Sequence, residues 1–210
     1  HISAPIDLGY NRIVPLLDSF MEQHPEIGIN LTLTDGYVDL VGQGLDFAIR
    51  LGVLADSSLR IKKLGANRRV VCASPDYLDR NGTPRHPEDL IHHNCILMRF
   101  GNQVDHAWRF DVEGRQKKYF VRGNRTVNDG HLVRNWCRAG HGLALKSIWD
   151  IQDDLRSGAL VPVLEEFAAV PAALQIVYPD GATQPRRVRF LIDHLADWFA
   201  HNQVTLPTVS

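Results

Sequence analysis

The sequence predicts an α/β protein in which parallel sheets covered by helices form two lobes, with a cleft and a hinge between them. Two observations support this prediction. The first fifty residues alternate between strand-like and helix-like apolar patterns, and a second strand-helix-strand unit lies in the middle of the chain. The middle unit looks inserted into the first. We therefore assign residues 1–72 and 179–210 to lobe I and residues 73–178 to lobe II. Clefts between lobes are a common place for a ligand.

The composition excludes several classes of protein. Of the 210 residues, 44% are apolar, which is ample for a packed core, and a formal net charge of −1 gives no overall positive field for nucleic acid or acidic membranes. The three cysteines, Cys72, Cys95 and Cys137, are far apart and odd in number, which fits neither a disulfide framework nor a paired-cysteine metal site and favours a reducing cytoplasm. No apolar run is long enough for a membrane span, and no export signal precedes the first strand.

The first third of the chain predicts alternating strands and helices. Residues 2–6 are strand-like, and an apolar helical stripe that includes Leu17 and Phe20 ends near His24. Pro15 is compatible with this helix only in its first turn. Residues 27–33 predict a second strand, 38–43 a short helix and 46–51 a third strand. This alternation is typical of a parallel sheet covered by helices.

The remainder of the chain predicts these further elements: strands over 59–64, 69–73, 95–98, 160–164 and 174–178, and helices over 149–156 and 187–201. Ser74 followed by Pro75 is a good helix start, and a further helix begins at Pro87. The apolar segments 108–110 and 118–121 flank the turn signal Glu113-Gly114, which predicts a hairpin.

The stretch over residues 127–147, VNDGHLVRNWCRAGHGLALKS, predicts a strand, a helix and another strand within about twenty residues. This spacing indicates a parallel crossover, and ligands of open α/β sheets lie at the carboxyl ends of such strands. Asp129 and Lys146 would therefore lie at the mouth of the cleft.

Several segments, taken in order, resemble the effector-binding domain of LysR-type transcriptional regulators: HISAPIDLG, PLLDSFMEQHPEIGINLTLTDGYVDLVGQGLDFAIRLG, LGANRRVVCASPDYL, WRF, VNDG, AGHGLAL and DDLRSGALVPVL before VYP. The resemblance implies a two-lobed periplasmic-binding-protein-like (type 2) fold that binds a small, often carboxylated metabolite between its lobes. It also implies a homodimer or tetramer. DNA would be bound by an amino-terminal winged helix-turn-helix that is absent from this segment.

The resemblance also implies which residues line the effector site. Together with Lys146 from the crossover argument, they are Pro5, Ile6, Asp7, Thr34, Asp35, Arg50, Asn128, Asp129 and His141. Many relatives have a serine or threonine at the position of Asp7. An ionised Asp7 only accepts hydrogen bonds, and it would repel an anion unless Lys146 or Arg50 offsets its charge. A hydroxy acid, an amino acid or another zwitterion would satisfy both charges.

Each charged candidate also has a structural interpretation. Lys146 either binds an effector carboxylate or is a solvated lysine at a strand end, and Arg50 either binds ligand or pairs with Asp7 or Asp46. Asp129 fits ordinary turn and helix-cap chemistry as well as a ligand contact. His92 and His93 fit surface histidines, since no second ligand pair accompanies them, and Cys137 fits a small core residue. Arg68 and Arg69 fit a solvated face.

These observations favour a cytoplasmic ligand-sensing domain without catalysis, cofactor, metal or membrane association. One alternative is a stand-alone solute-binding protein of the same fold, which an export signal in the full gene would favour. The other is an enzyme that uses His141, Asp129 or Cys137, although no pair of titratable groups has a spacing that demands chemistry.

Overall fold

The structure is a computed structural model that describes residues 1–52, 59–169, 172–180 and 184–203. The chain divides into two compact units. Unit 1 contains His1–Asn67 and Ala172–Gln203, and unit 2 contains Arg68–Pro171. The chain therefore changes units before the strand at residues 69–73 and before the strand at residues 172–179, whereas the sequence analysis placed the crossings near 71–73 and 177–179.

The described residues form the following strands: β1 (Ile2–Ala4), β2 (Leu31–Leu33), β3 (Phe47–Leu51), β4 (Leu59–Asn67), β5 (Arg69–Ala73), β6 (Ile96–Phe100), β7 (Gln103–Val104), β8 (Ala107–Val112), β9 (Arg115–Phe120), β10 (Arg125–Val127), β11 (Ala144–Ser147), β12 (Val161–Val163) and β13 (Ala172–Pro179). The α-helices in the described ranges are α1 (Ile6–Leu8), α2 (Val14–Gln23), α3 (Pro75–Asn81), α4 (Gly130–Arg138), α5 (Ile148–Ser157) and α6 (Arg186–His201). Short 3₁₀ helices cover Pro87–His92 and Glu165–Phe167.

Unit 1 contains a five-stranded sheet with the order β2-β1-β3-β13-β4. β1 pairs in parallel with β2 and with β3, as predicted, while β13 pairs antiparallel with β3 and β4. All of β1 and the first half of β3 are buried, which is typical of parallel strands covered on both faces. α6 buries Val188, Leu191, Ile192, Leu195 and Phe199 and packs against β4.

The first helical region of unit 1 runs without a break from α1 through a π-helical segment, Gly9–Ile13, into α2. α2 buries Leu16, Leu17 and Phe20, which confirms the predicted stripe. Pro15 lies in the first turn of α2, directly after the π-helical segment. A proline lacks the N–H that continues an α-helical ladder, and the change of hydrogen-bond register at this point accommodates it.

The prediction of a helix at residues 38–43 is wrong, because residues 40–43 form turns and residues 38 and 39 have no regular structure. The Asp39 carboxylate accepts a hydrogen bond from the Gly42 N–H at 2.9 Å, as a helix cap would, but the Gln43 N–H to Asp39 carbonyl bond is followed by a turn that closes at Gly44. Gly44 follows with φ of 61°, a left-handed conformation that ends the segment.

Unit 2 contains two three-stranded sheets, ordered β10-β6-β7 and β11-β5-β12. A parallel bridge between Cys95 and Leu143 connects the segments that lead into β6 and β11. The predicted strand-helix-strand unit is therefore parallel, but its two strands are not neighbours: β10 pairs with β6, and β11 pairs antiparallel with β5. The sequence spacing identified the strands and the helix but could not identify the intervening strand.

The predicted hairpin of unit 2 is formed by β8 and β9. Its turn residues Glu113 and Gly114 have φ of 58° and 73°, the left-handed pair of a two-residue hairpin turn. Trp108, Phe110 and Val112 on β8 join a buried cluster with Tyr77, Leu90, Leu143 and Val163.

Among the described helices, none combines the length and apolar character that a membrane crossing needs.

Gly123 is predicted to be the least replaceable glycine of unit 2. A Cβ at Gly123 would lie 1.8 Å from the Cys95 carbonyl oxygen, so the backbone itself would have to move. Gly123→Ala should lower the free energy of unfolding by about 1–3 kcal/mol in urea titrations. Gly28→Ala is the matched control, because a Cβ there meets nothing within 4 Å. The packing account is contradicted if both variants are equally stable.

Candidate functional site

The carboxyl ends of three parallel strands meet at one edge of the unit 1 sheet. β1 leads into Pro5 and Ile6, β2 leads into Thr34 and Asp35, and Arg50 is the next-to-last residue of β3. Parallel register places these ends side by side, since Ile2 pairs with Leu31 and with Phe47. Ligands of open α/β sheets bind at such an edge.

Hydrogen bonds tie these residues together. The Ile6 N–H donates to Asp35 Oδ1 at 3.0 Å, which places a carboxylate at the start of the helical region. Arg50 donates from Nη1 to the Thr34 carbonyl at 3.2 Å and from Nη2 to Ser3 Oγ at 2.9 Å. The structure thus brings Ile6, Thr34, Asp35 and Arg50 of the predicted set into one polar cluster, which we call the strand-end cluster.

Burial lowers the pKa of the Arg50 guanidinium, and the negative charge of Asp35 opposes that effect. A cation with an ordinary pKa of 12.5 remains charged at neutral pH in such a setting. Arg50 therefore has different partners from those considered in the sequence analysis, because its hydrogen bonds go to Thr34 and Ser3.

Asp7 lies in α1 with only 2% of its surface exposed. Its Oδ1 accepts a hydrogen bond from Asn11 Nδ2 at 2.6 Å, one helical turn further on. An acidic side chain in the first turn also interacts favourably with the positive end of the helix. These contacts give Asp7 a structural role in the helical region.

The remaining candidates lie in unit 2. Asp129 caps α4, accepting from the Leu132 N–H at 3.0 Å, which confirms its helix-cap chemistry. Asn128 and His141 are exposed. The His141 carbonyl accepts a hydrogen bond from Asn94 Nδ2 at 2.6 Å, and Asn94 also bonds Asn124. This asparagine network holds the loop after α4, and sequence patterns gave no signal for it.

Lys146 is buried within unit 2. Its Nζ donates to the Gly130 carbonyl at 2.9 Å and lies 3.1 Å from Asp150 Oδ2, with 6% of the residue exposed. The solvated-lysine interpretation is therefore wrong. Lys146 joins the amino-terminal ends of α4 and α5, which carry Gly130 and Asp150.

A second buried ion pair was not predicted. Arg134 Nε on α4 lies 2.5 Å from Asp154 Oδ2 on α5, and Arg138 Nε lies 3.3 Å from Asp154 Oδ1. The sequence did contain a signal, because Asp150 and Asp154 are spaced four residues apart on a helix that also buries Ile151 and Leu155. Acidic side chains on an apolar helical face require buried cationic partners.

The cysteines lie in the core of unit 2. Cys72 Sγ and Cys137 Sγ are 4.0 Å apart and both residues are fully buried, so Cys137 is the predicted core residue. The hydrogen bond with Cys137, together with burial, raises the pKa of Cys72, and burial raises the pKa of Cys95 to about 12. Cys72 and Cys95 therefore stay thiols and are poor nucleophiles at neutral pH.

The described residues contain no cluster of three or more metal-binding side chains. His92 is exposed as expected, but His93 is not a surface histidine. Its residue exposure is 8%, and Nδ1 lies 3.2 Å from the Tyr77 hydroxyl.

Comparisons with known proteins agree with this architecture. A family model described as the LysR substrate binding domain matches residues 1–200. The chain belongs to this family. The LysR domain is 30% identical over 201 residues to the HTH-type transcriptional regulator DmlR of Escherichia coli K12, covering 96% of this chain and 65% of DmlR.

Two solved structures extend the comparison to the fold. The regulatory domain of CrgA from Neisseria meningitidis is 28% identical to the LysR domain, with a TM-score of 0.83 over 94% of this chain and 97% of that one. The regulatory domain of AphB from Vibrio vulnificus is 30% identical, with a TM-score of 0.77 and the same coverage, 94% and 97%.

The LysR domain therefore has the two-lobed type 2 periplasmic-binding-protein-like fold of these regulatory domains, as predicted. Its relatives are transcription regulators, which supports a regulatory domain over a stand-alone solute-binding protein. The domain spans between 63% and 65% of the length of the first curated relatives that it matches.

Removing Lys146 from the LysR domain should be strongly destabilising, because Asp150 would lose the ammonium that now lies 3.1 Å away in a buried setting. We expect Lys146→Ala to lower the free energy of unfolding by about 3–5 kcal/mol in urea titrations. Lys63→Ala, which removes an exposed lysine of β4, should change it by less than about 0.5 kcal/mol. A loss for Lys146→Ala as small as that of the control would contradict the buried pairing.

Proposed function

We propose that the chain is the ligand-sensing part of a cytoplasmic, DNA-binding transcription regulator, that it performs no catalysis, and that a small metabolite binds at the strand-end cluster. The observation that carries the proposal is the convergence of Thr34, Asp35 and Arg50 at the carboxyl edge of three parallel strands. Membership of the LysR substrate-binding family supports a ligand-binding function for that edge.

The charges of the cluster favour an effector that carries both a carboxylate and a hydrogen-bond donor. Arg50 uses two hydrogen bonds to the protein, and a guanidinium has five N–H donors, so donors remain for an effector carboxylate. Asp35 interacts with the same guanidinium, so a simple anion would meet an acidic group beside its partner. A hydroxy acid or an amino acid satisfies both groups, because its hydroxyl or ammonium donates to a carboxylate.

The other residues have supporting parts in this proposal. Pro5 and Ile6 begin the helical region beside Asp35, and buried Asp7 stabilises its first turn. Exposed Asn128 and His141 are available to contact a ligand. Asp129 and Lys146 act as positioning residues, since their side chains hold the start of α4.

The proposal also includes an oligomeric assembly and a separate DNA-binding domain. A homodimer or tetramer would present paired amino-terminal winged helix-turn-helix domains to DNA, and the effector would act by changing the geometry of that assembly. The HTH-type names of the relatives and their greater length support this part of the proposal. It is tested by sedimentation of the full-length regulator with and without its operator.

A thermal-shift screen against hydroxy acids, amino acids and simple carboxylates tests the effector site. A ligand at a hundred times its Kd adds about 2.7 kcal/mol of stability, which is a rise in Tm of roughly a few degrees. Arg50→Gln should abolish the ligand-induced rise. Arg60→Gln removes an exposed arginine of β4 that pairs with Asp180, and it should leave the rise intact.

Because each ligand shift is measured against the same variant without ligand, any general loss of stability cancels. A hit whose shift survives in Arg50→Gln contradicts the assignment of the strand-end cluster. A preference for amines without a carboxylate would also contradict it, because the proposal requires an anionic group at Arg50.

A further inference from the structure

Unit 2 contains a cavity that none of the ten predicted site residues lines. Its volume is about 260 Å³, and its walls come from β5, β8, β11, β12 and the 3₁₀ helix Glu165–Phe167. Pockets for drug-sized ligands have volumes of about 300–1,000 Å³, so this cavity suits a smaller molecule.

The cavity has an apolar floor and a charged rim. The floor is formed by buried Val71, Phe110, Val163 and Leu164. The rim carries three arginines, Arg68, Arg69 and Arg109, and two acidic residues, Asp105 and Glu165. An apolar pocket with a few polar groups at one side is the usual form of a small-molecule site, in which the floor supplies affinity and the polar groups fix orientation.

One of the rim cations is available to a ligand. Arg69 Nη2 lies 2.9 Å from Asp105 Oδ2, and Arg68 donates to the Glu165 carbonyl. Within the described part of the chain, the guanidinium of Arg109 makes no hydrogen bond or ion pair, although it lines the cavity from β8. Three arginines against two acidic residues leave the rim net positive, and Asp105 is already paired with Arg69, so Arg109 presents a positive group to an incoming anion.

One wall of the cavity, next to β8, contains a residue with a left-handed backbone conformation. Leu164 adopts φ of 57° and ψ of 31°, a left-handed conformation that costs energy for a residue with a branched side chain. It turns the chain from β12 into the 3₁₀ helix, after which Ala168 bridges antiparallel to Phe110 on β8. The bridge joins the segment after the 3₁₀ helix to β8, so two walls of the cavity are connected by backbone pairing.

We propose that this cavity is a second binding site, for a small organic anion with an apolar body, of the arylacetate class. The ring lies against Val71, Phe110, Val163 and Leu164, and the carboxylate forms a charge-assisted pair with Arg109 at the rim. The site is formed within unit 2 alone, and it does not depend on the proposed effector site.

Phenylacetate and its neutral isostere phenylacetamide test the site in ligand-observed NMR titrations of the 210-residue chain. Phenylacetate should bind, and Arg109→Gln should weaken it by about tenfold or more, because a charged hydrogen-bonded pair is lost. Phenylacetamide, which lacks the negative charge, should bind the unaltered chain about tenfold or more weakly than phenylacetate does. Ala107→Leu, which narrows the cavity wall without removing charge, should also weaken phenylacetate.

Two control variants separate this site from the rest of the molecule. Arg115→Gln removes an exposed arginine of the same hairpin that does not line the cavity, and it should change affinity by less than about twofold. Arg50→Gln should retain phenylacetate binding. The proposal is overturned if phenylacetate fails to bind at millimolar concentration, if Arg109→Gln binds it as well as the unaltered chain, or if Arg50→Gln alone abolishes binding.

Discussion

Parallel pairing of β1 with β2 and β3 is the constraint on which the proposed effector site depends. Each strand is short, with its polar candidates in its last residues or just beyond its end, and parallel direction brings these ends to one edge. The register of these strand pairs is sufficient to bring Thr34, Asp35 and Arg50 together at this edge. A guanidinium placed there loses solvent, and the Thr34 carbonyl, Ser3 hydroxyl and Asp35 charge offset that cost.

Unit 2 also contains buried cations whose loss of solvent must be offset. Lys146 and Arg134 are buried cations whose partners are Asp150 and Asp154, both on α5. Removing one member of such a pair leaves a buried charge without compensation, which is costly even though the intact pair adds little. These cations therefore serve the packing of α4 and α5 in unit 2. Arg50 differs because its protein partners use only part of its donor capacity.

Local chemistry explains what could be predicted from the sequence. The strands of the parallel sheet, the Ser74 and Asp129 caps and the Glu113-Gly114 hairpin each depend on residues close together in the chain. Two of the failures depend on distant partners, and a third is local. β6 separates β10 from β11, and Lys146 is buried by an interaction with Gly130 and Asp150 that strand-end spacing does not reveal. The helix expected over 38–43 failed because the chain turns at Gly44, in a left-handed conformation, after a single turn.

The same distinction applies to the candidate sites. The resemblance named the strand-end residues, and their hydrogen bonds then gave each a physical role. The cavity of unit 2 was not anticipated, because Arg69 and Arg109 are separated by forty positions and only the pairing of distant strands places them at one rim. Arginines that look like a solvated face in sequence can thus line a cavity.

Amide and arginine side-chain NMR spectra of the chain, recorded during titration with a stabilising hydroxy acid or amino acid, test the central claim most directly. If the effector binds at the strand ends, the largest shifts should occur at the Ile6, Thr34 and Asp35 amides and at the Arg50 Nε–H. Those resonances should follow one saturable curve. Saturable shifts confined to other parts of the chain, with these four groups unchanged, would contradict the account.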